Sequence, residues 1–589
     1  MNLQRFLRRR VRRSAELAAL LALAASPVPI GAQEPAADPA AELLRARVET
    51  LREDGRLNVR GAWLSSRHVL PVLYEANGFR RLWDDARADQ LARAIDEARS
   101  DGLDPRDYHA AVLEQLERQT SAGEGFTPTV LLGDRDLVLT DAFVRLWSHL
   151  RFGKLEARTD SLPPAPRWDL RRLVNGRDPA AVLHEILDAG DVERALLDAR
   201  PTHALYEGLR EALGHCRVLA ARGGWPALAR GPLLKPGLRD ARVPALRRRL
   251  ALSGDAVPDS GAGEGAVTYD SVLVTAVAAL QRRHGLPDDG VVGPLTLAAL
   301  NVTAEARTEQ LRANLERARQ FLRDLDTPHV AVNIPDQRAE LTSGGRVLWR
   351  ARAQVGRPLR QTPSFRARLT YLVLNPPWVV PEIILARELI PGMRADPSTL
   401  ARRRLRLIDL DGAEADPATV DWAAADASCF PYLVQQDPGP DNPLGRVKFM
   451  LPNDHQVYLH DTPNRALFAS ASRAASSGCI RLEDPLGLAE QLLTGQPLPA
   501  AQAVEAPVLA RLRAGADAAA LATWTRAAID TVIATGETLT VPLTSPLPVL
   551  LLYLTAWQDE AGRVQFRADI YGRDAPLLEM LDARFTAAE

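Results

Sequence analysis

The chain has 589 residues, too many for one hydrophobic core, and at about 100–200 residues per domain it should hold three or four. Its net charge is −1, with 73 basic against 74 acidic side chains, which excludes any charge-based case for nucleic-acid binding. Three cysteines exclude a disulfide framework, and without HExxH, CxxC or clustered ligand spacing no metal and no cofactor are expected.

Residues 1–32 read as a secretory signal: a basic RFLRRRVRR, a short apolar LAALLALAA, and a small-residue cleavage site at Ala32. The apolar run falls short of the roughly 20 residues that span a bilayer. An exported, soluble protein is expected, membrane-associated only if the signal stays uncleaved. An Ala/Pro/acidic leader follows, and then from about 45 to 225 the period is helical. Leu91, Ala94, Ile95 and Ala98 recur at spacings of three and four, with Gly102 as a C-cap. Leu139, Phe143, Leu146, Trp147 and Leu150 repeat the pattern, and YEGLREALGHCRVLAARGGW supplies a third such helix. His109, His149, His184, His203 and His215 stand singly there, without a matching acid or thiol pattern, so the region reads as scaffold.

Residues 231–301 form a compact unit of short helices. Leu273, Ala276, Val277 and Leu280 give one apolar face, Gly285 and Pro287 close that helix, and Pro294 opens the last one. The string ALQRRHGLPDDGVVGPLTLAALN resembles the peptidoglycan-binding module of three short helices, through its order of Gln, HGL, DG, VG, Thr and LN. A helical connector at 302–327 leads to a change of period near Pro328. HVAVNI, RVLWRARAQVG and RLTYLVLN are β-branched and aromatic runs between turn residues, hence strands. Prolines and helical stretches then interrupt the pattern from about 378 to 432, an insertion placed where it could cover a site.

Strands resume at GRVKFML and QVYLH, where a period of two puts Tyr458 and His460 on one face and Val457 and Leu459 on the other. Nineteen residues after His460 comes Cys479, in SSGCIR. A thiol flanked by Ser476, Ser477, Gly478 and Arg481 has a poor apolar pocket, and with an imidazole upstream it has the parts of a cysteine nucleophile. Asp484 and Pro485 start a helix, so Cys479 is expected in a loop shortly before a helix N-terminus. The last strands, in VPLTSPLPVLLLYLTAWQDEAGRVQFRADIYG, should complete the β fold. Cys216 and Cys429 are left with no pairing that can be read.

VGRPLRQTP at 355–363, PGPDNPLGRVKF at 438–449 and VYLHDTP…SSGCIRL together resemble the L,D-transpeptidase catalytic domain of the YkuD type. YEANGFRRLW, DGLDPRDY and the C-terminal YLTAW…GRVQFRADIYG are similar to the long periplasmic form of that family. The resemblance implies a multidomain α+β chain: a helical scaffold at 45–225, the three-helix module at 231–301, and a mainly β catalytic domain at 328–575 with a helical lid insertion. It implies a periplasmic transferase acting on peptidoglycan stem peptides. Cys479 would attack the carbonyl preceding the terminal D-Ala of a tetrapeptide donor, expelling D-Ala and leaving a thioester, and a diaminopimelate amine would take the acyl group to form a 3→3 cross-link. Carbapenem β-lactams would acylate the same thiol, and wall-synthesis proteins could be partners. Hydrolysis (an L,D-carboxypeptidase), transfer to a lipoprotein, and an inactive wall-binding scaffold are the competing readings.

Shorter relatives carry a second His two residues before the cysteine, where this chain, like the long form, has Ser477, so His460 is the candidate base. His455, five residues earlier, reads as structural. A thiol of pKa about 8.5 is only a few per cent thiolate at neutral pH. Lowering it to about 6 raises that fraction roughly thirtyfold but cuts nucleophilicity about tenfold. His460 must therefore carry the proton to the leaving amine, oriented either by a backbone carbonyl or by the Asp461 carboxylate. The N–H groups of Gly478 and Cys479 are the expected oxyanion donors. Arg481 is open between bracing the loop and binding a substrate carboxylate, and Tyr458, Ser477 and Asp461 are placed at the substrate side.

Overall fold

The computed structural model describes residues 38–122, 128–155, 179–255, 267–323, 325, 328–498 and 523–583. The signal-peptide reading of 1–32 falls outside them. The first core gathers Leu44, Val48, Leu51 and Leu57 with the inward faces of Asp85–Glu97 and Pro128–Phe152. Leu91, Ala94 and Ile95 are buried as their spacing requires, and a 3₁₀ turn at Ala98–Asp101 ends on Gly102, whose φ of +74° suits a residue without a Cβ. The solitary histidines His109 and His149 are buried and bonded to Asp141 and Tyr108.

The module around 231–301 has its own core, from Leu228 to Leu300. Its sequence order has a physical basis in Gln281, 1 % exposed, which bonds through Nε2 to the Asp289 carboxylate, the Val291 carbonyl and Thr296 Oγ1, while Oε1 accepts the Gly290 N–H. One buried amide is thus fully satisfied by the DG, VG and Thr of the string, which leaves none of its hydrogen-bonding groups without a partner. Asn301 completes the unit by exchanging two hydrogen bonds with the Leu228 backbone.

The connector helix Ala304–Phe321 is more than a tether. It lies between the helix Ala204–Ala221 and the C-terminal hairpin Ala556–Gln558/Val564–Phe566, in a shared core of Leu209, Leu213, Leu311, Leu315 and Phe566. Asn314 exchanges hydrogen bonds with Thr555, and Arg319, paired with Glu316, reaches the Asp101 carbonyl. The hairpin is therefore a separate two-stranded sheet, whereas Leu539–Leu552 alone enters the main sheet.

That sheet has nine strands, in the order 474–476, 346–356, 480–482, 459–460, 447–450, 365–374, 539–552, 329–333 and 338–343. Arg338–Ser343 also pairs with Arg346–Gly356, so the sheet closes on itself. Inside lie Val355, Leu372, Phe449, Leu459 and Ile480, covered by the helices Pro485–Leu493 and Arg526–Thr535.

The insertion folds around a core of its own, including Leu385, Leu389, Met393, Leu407 and Val434. Besides the expected helices, Glu382–Ile384, Ile390–Ala395 and Thr399–Arg402, it contains a four-stranded antiparallel sheet of 378–379, 433–436, 405–408 and 414–415. Its two necks are held together by buried Asn442, whose Nδ2 donates to the carbonyls of Pro376 and Asp437.

Candidate active site

Strands Leu459–His460 and Ile480–Leu482 run parallel, with Leu459 opposite Ile480 and His460 opposite Arg481. The Ile480 N–H donates to the Tyr458 carbonyl, which brings Cys479 beside Tyr458. Alternation then sends Tyr458, His460, Cys479 and Arg481 to one face, while Leu459 and Ile480 enter the core. The Tyr458 and His460 rings are 5.6 Å apart, as the period-of-two reading requires. Cys479 does not stand directly before a helix. The strand Ile480–Leu482 intervenes, and the Asp484 cap serves Gly487 three residues further on.

The half-buried Cys479 thiol lies 3.8 Å from the Gln456 carbonyl. Burial pushes it up, against the pull of hydrogen bonds from the Tyr458 N–H and hydroxyl and of the positive charges on Lys448 and Arg481. His460 is 3 % exposed and pushed down to about 3, by burial first and then by Arg481, against the carbonyls of Asp461 and Pro443. The resting pair is thus a neutral thiol and a neutral imidazole. His460 Nδ1 is 2.5 Å from the Asp461 carbonyl, so the backbone orients the ring. The Asp461 carboxylate is turned away, to the Arg446 N–H and to Arg465. That leaves it bracing the loop rather than facing a substrate.

Gly478, φ +122°, is the residue whose backbone needs glycine. Its N–H is not free to serve as an oxyanion donor, because it donates to Ser476 Oγ at 3.1 Å, while its carbonyl accepts Thr362 Oγ1 at 2.7 Å. This corrects the expectation for Gly478, and of the two expected donors only the Cys479 N–H is left as a candidate. Ser477 is exposed and accepts from Arg360 at 2.9 Å and Arg357 at 3.4 Å. Arg360 also faces Glu388, 3.4 Å away on the π-helical turn Leu385–Leu389 of the insertion. His455 packs against Phe365, ring centroids 4.8 Å apart and tilted by 38°, a packing role.

Two further charges complete the face. Lys448 is opposite His460 in the antiparallel register, its Nζ 3.9 Å above the Tyr458 ring. Arg481 sits between His460 and the buried Gln354, and its Nε is buried without a hydrogen-bond partner. Neither Lys448 nor Arg481 forms an ion pair among the described residues. Lys448, Arg357 and Arg360 were missed from sequence, although each lies in a string that carried the resemblance.

Three regions of the chain match family models. Residues 68–213 match the family model "Scaffold domain", 239–300 "Putative peptidoglycan binding domain", and 327–500 "L,D-transpeptidase catalytic domain". A Haemophilus influenzae protein named "Putative L,D-transpeptidase" is 36% identical over 267 residues, 45% of this chain and 48% of that protein. An N-acetylmuramoyl-L-alanine amidase, CwlL, of Bacillus licheniformis is 41% identical over 70 residues, 12% of this chain and 19% of that protein. The chain thus spans less than half the length of these curated relatives. A solved L,D-transpeptidase fragment from Xylanimonas cellulosilytica matches at 17% identity, over 44% of this chain and 91% of its own, with a TM-score of 0.14 that carries no argument. By these matches the chain carries a YkuD-type L,D-transpeptidase catalytic domain, together with a scaffold domain and a peptidoglycan-binding domain.

Proposed function

We propose that the protein is a peptidoglycan L,D-transpeptidase that works through a Cys479 acyl-enzyme. The carrying observation is the shared face of thiol, backbone-oriented neutral imidazole and two cations that form no ion pair among the described residues. Cys479 Sγ attacks the carbonyl preceding the terminal D-Ala, and its proton passes to His460 Nε2, the nitrogen left unprotonated when Nδ1–H serves the Asp461 carbonyl. The carbonyls of Asp461 and Pro443 steady the imidazolium. The Cys479 N–H supports the oxyanion, and the Tyr458 hydroxyl supports the thiolate. The C–N bond then breaks, D-Ala leaves with the proton from His460, and a thioester remains. A diaminopimelate amine attacks it, His460 takes up the amine proton, and the thiol is restored as the 3→3 amide forms. Arg481 and Lys448 bind carboxylates of the stem, the insertion covers it, and the 1–32 segment directs export to the periplasm.

Purified protein given disaccharide-tetrapeptide should yield cross-linked dimer and free D-Ala. Tripeptide as the sole product would replace transfer by hydrolysis. Intact mass after carbapenem treatment should show one adduct that Cys479→Ala lacks. Adducts on both proteins, or on neither, would remove Cys479 as the nucleophile.

A further inference from the structure

Far from the thiol in sequence, the scaffold carries a second depression, of about 440 Å³, lined by Thr50, Asp54, Arg56, Leu57, Asn58 and Trp63. Its wall is the hairpin Leu57–Val59/Ala62–Leu64, in which Asn58 is directly opposite Trp63 and both point outward from a buried-exposed-buried pattern. Trp63 is 39 % exposed, an unusual placement for the largest aromatic side chain.

The backbone that carries the indole is held in place. Arg145, buried in the core helix, donates to the Trp63 carbonyl at 2.6 Å and to Ser65 Oγ at 2.7 Å. The Asp141 carboxylate accepts the N–H groups of Ser65 and Ser66 at 2.9 and 2.8 Å. At the turn, Arg60 is paired with buried Asp134 at 2.8 Å. An exposed aromatic on a backbone tied at three points needs less ordering on binding than one on a loose loop.

The groups around it are of one kind. Asn58 Oδ1 accepts the Gly61 N–H, which orients the carboxamide and leaves its NH₂ to donate. The Asp54 carboxylate forms no ion pair among the described residues, and the Thr50 hydroxyl lies one helical turn before it. The Arg56 guanidinium lines the depression over one face of the Trp63 ring, 6.0 Å from its centroid, at the outer limit of a cation–π contact. An apolar face ringed by a carboxylate, a carboxamide and a hydroxyl complements a pyranose ring, whose C–H face is apolar and whose edge presents hydroxyls that both donate and accept.

We propose that this depression is a saccharide-binding site, in which Trp63 stacks on one hexopyranose unit of an oligosaccharide while Asp54 and Asn58 bond its hydroxyl edge. The site is independent of the acyl-transfer chemistry, and Cys479→Ala should bind sugar as well as the unaltered chain does. Calorimetric titration of the full-length protein with chitotetraose and with cellotetraose tests it, the pair reporting whether an acetamido group is read. At least one should bind. Trp63→Ala should weaken that binding about tenfold or more, Trp63→Phe less, and Asp54→Asn by an intermediate factor. Unchanged melting of Trp63→Phe controls for folding. The proposal is overturned if neither tetrasaccharide binds at about 10 mM, or if Trp63→Ala binds as tightly as the unaltered chain, which would put the sugar elsewhere, such as on the 239–300 domain.

Discussion

His109 and His460 are both buried imidazoles close to an arginine, and they differ in how the charges around them are met. His109 Nε2 lies 2.8 Å from Asp141, which also accepts Arg145 and two backbone N–H groups. Burial works against the Asp141 carboxylate, but Arg145 and His109 hold it well below the usual range. Every Arg145 nitrogen has a partner in the Trp63 and Asp107 carbonyls, Ser65 or Asp141. At His460 the charges that act on the ring are Arg481 and Lys448, and among the described residues no carboxylate pairs with them. A buried network with all of its charges met has nothing left to bind and serves the fold. One with cations left over has a standing attraction for an anion that is not part of the chain.

The largest expected effect falls on the proton carrier. His460→Ala should lower kcat for D-Ala release about 10²- to 10⁴-fold while the protein remains folded by circular dichroism. His109→Ala, the matching change in the scaffold, should leave kcat per folded molecule unchanged. Comparable losses from both would dissolve the distinction between the two sites.

Next comes stability. Arg145→Met leaves Asp141 buried and short of its main cation, and should destabilise the chain by about 3–5 kcal/mol in denaturant unfolding. Arg481→Met removes a half-buried guanidinium whose Nε is buried without a partner, and should leave stability unchanged or raise it. On catalysis the order reverses. Arg481→Met and Lys448→Met should each raise KM and lower kcat/KM by about 10- to 100-fold, the worth of a hydrogen bond to a charged group. A loss in kcat alone, with KM held, would make them parts of the thiol's environment instead of anchors for the stem.

The difference in how far these two sites could be read from sequence has a physical source. Tyr458, His460 and Cys479 were legible because strand alternation and one local string set their face. The Gln281 cluster was legible for the same reason, since its partners lie within fifteen residues. Arg357 and Arg360 reach the site because the strand before them, Arg346–Gly356, pairs with Ile480–Leu482 far away in sequence, which no local pattern encodes. Lys448, in contrast, is set beside His460 by an antiparallel pairing over only twelve residues that the period-of-two reading did not extend to. The sheet of the insertion was hidden because its strands are two to four residues long and set among prolines. The helix Ala304–Phe321 looked like a polar connector because Asn314, Glu316, Arg317 and Arg319 are buried by pairing, and a hydrophobic period cannot register that.

Acid should separate the sites further. The folded value for His460 is about 3 and the unfolded value about 6.5, so below pH 6.5 the unfolded chain binds a proton that the folded chain refuses. The stability due to this group is present above pH 6.5 and is lost as pH falls toward 3, at up to about 1.4 kcal/mol per unit. His460→Gln removes that term. The stability of wild type minus variant should therefore decline between pH 6 and 4, and a flat difference would mean that the imidazole is not held neutral.

The smallest effect concerns the link between site and insertion. Arg360 bonds Ser477 at 2.9 Å and faces Glu388 at 3.4 Å, so one guanidinium joins the loop before Cys479 to the π-helical turn Leu385–Leu389. Both partners are partly open to solvent, and such a pair contributes at most about 1 kcal/mol. Glu388→Gln should change kcat/KM no more than about fivefold, and less as salt is raised. Arg360→Met removes both contacts at once and should cost more than Glu388→Gln, because the loop at Ser477 loses its brace along with the insertion. If the two substitutions prove equal and additive, the insertion and the thiol loop move independently, and covering the stem would owe nothing to this arginine.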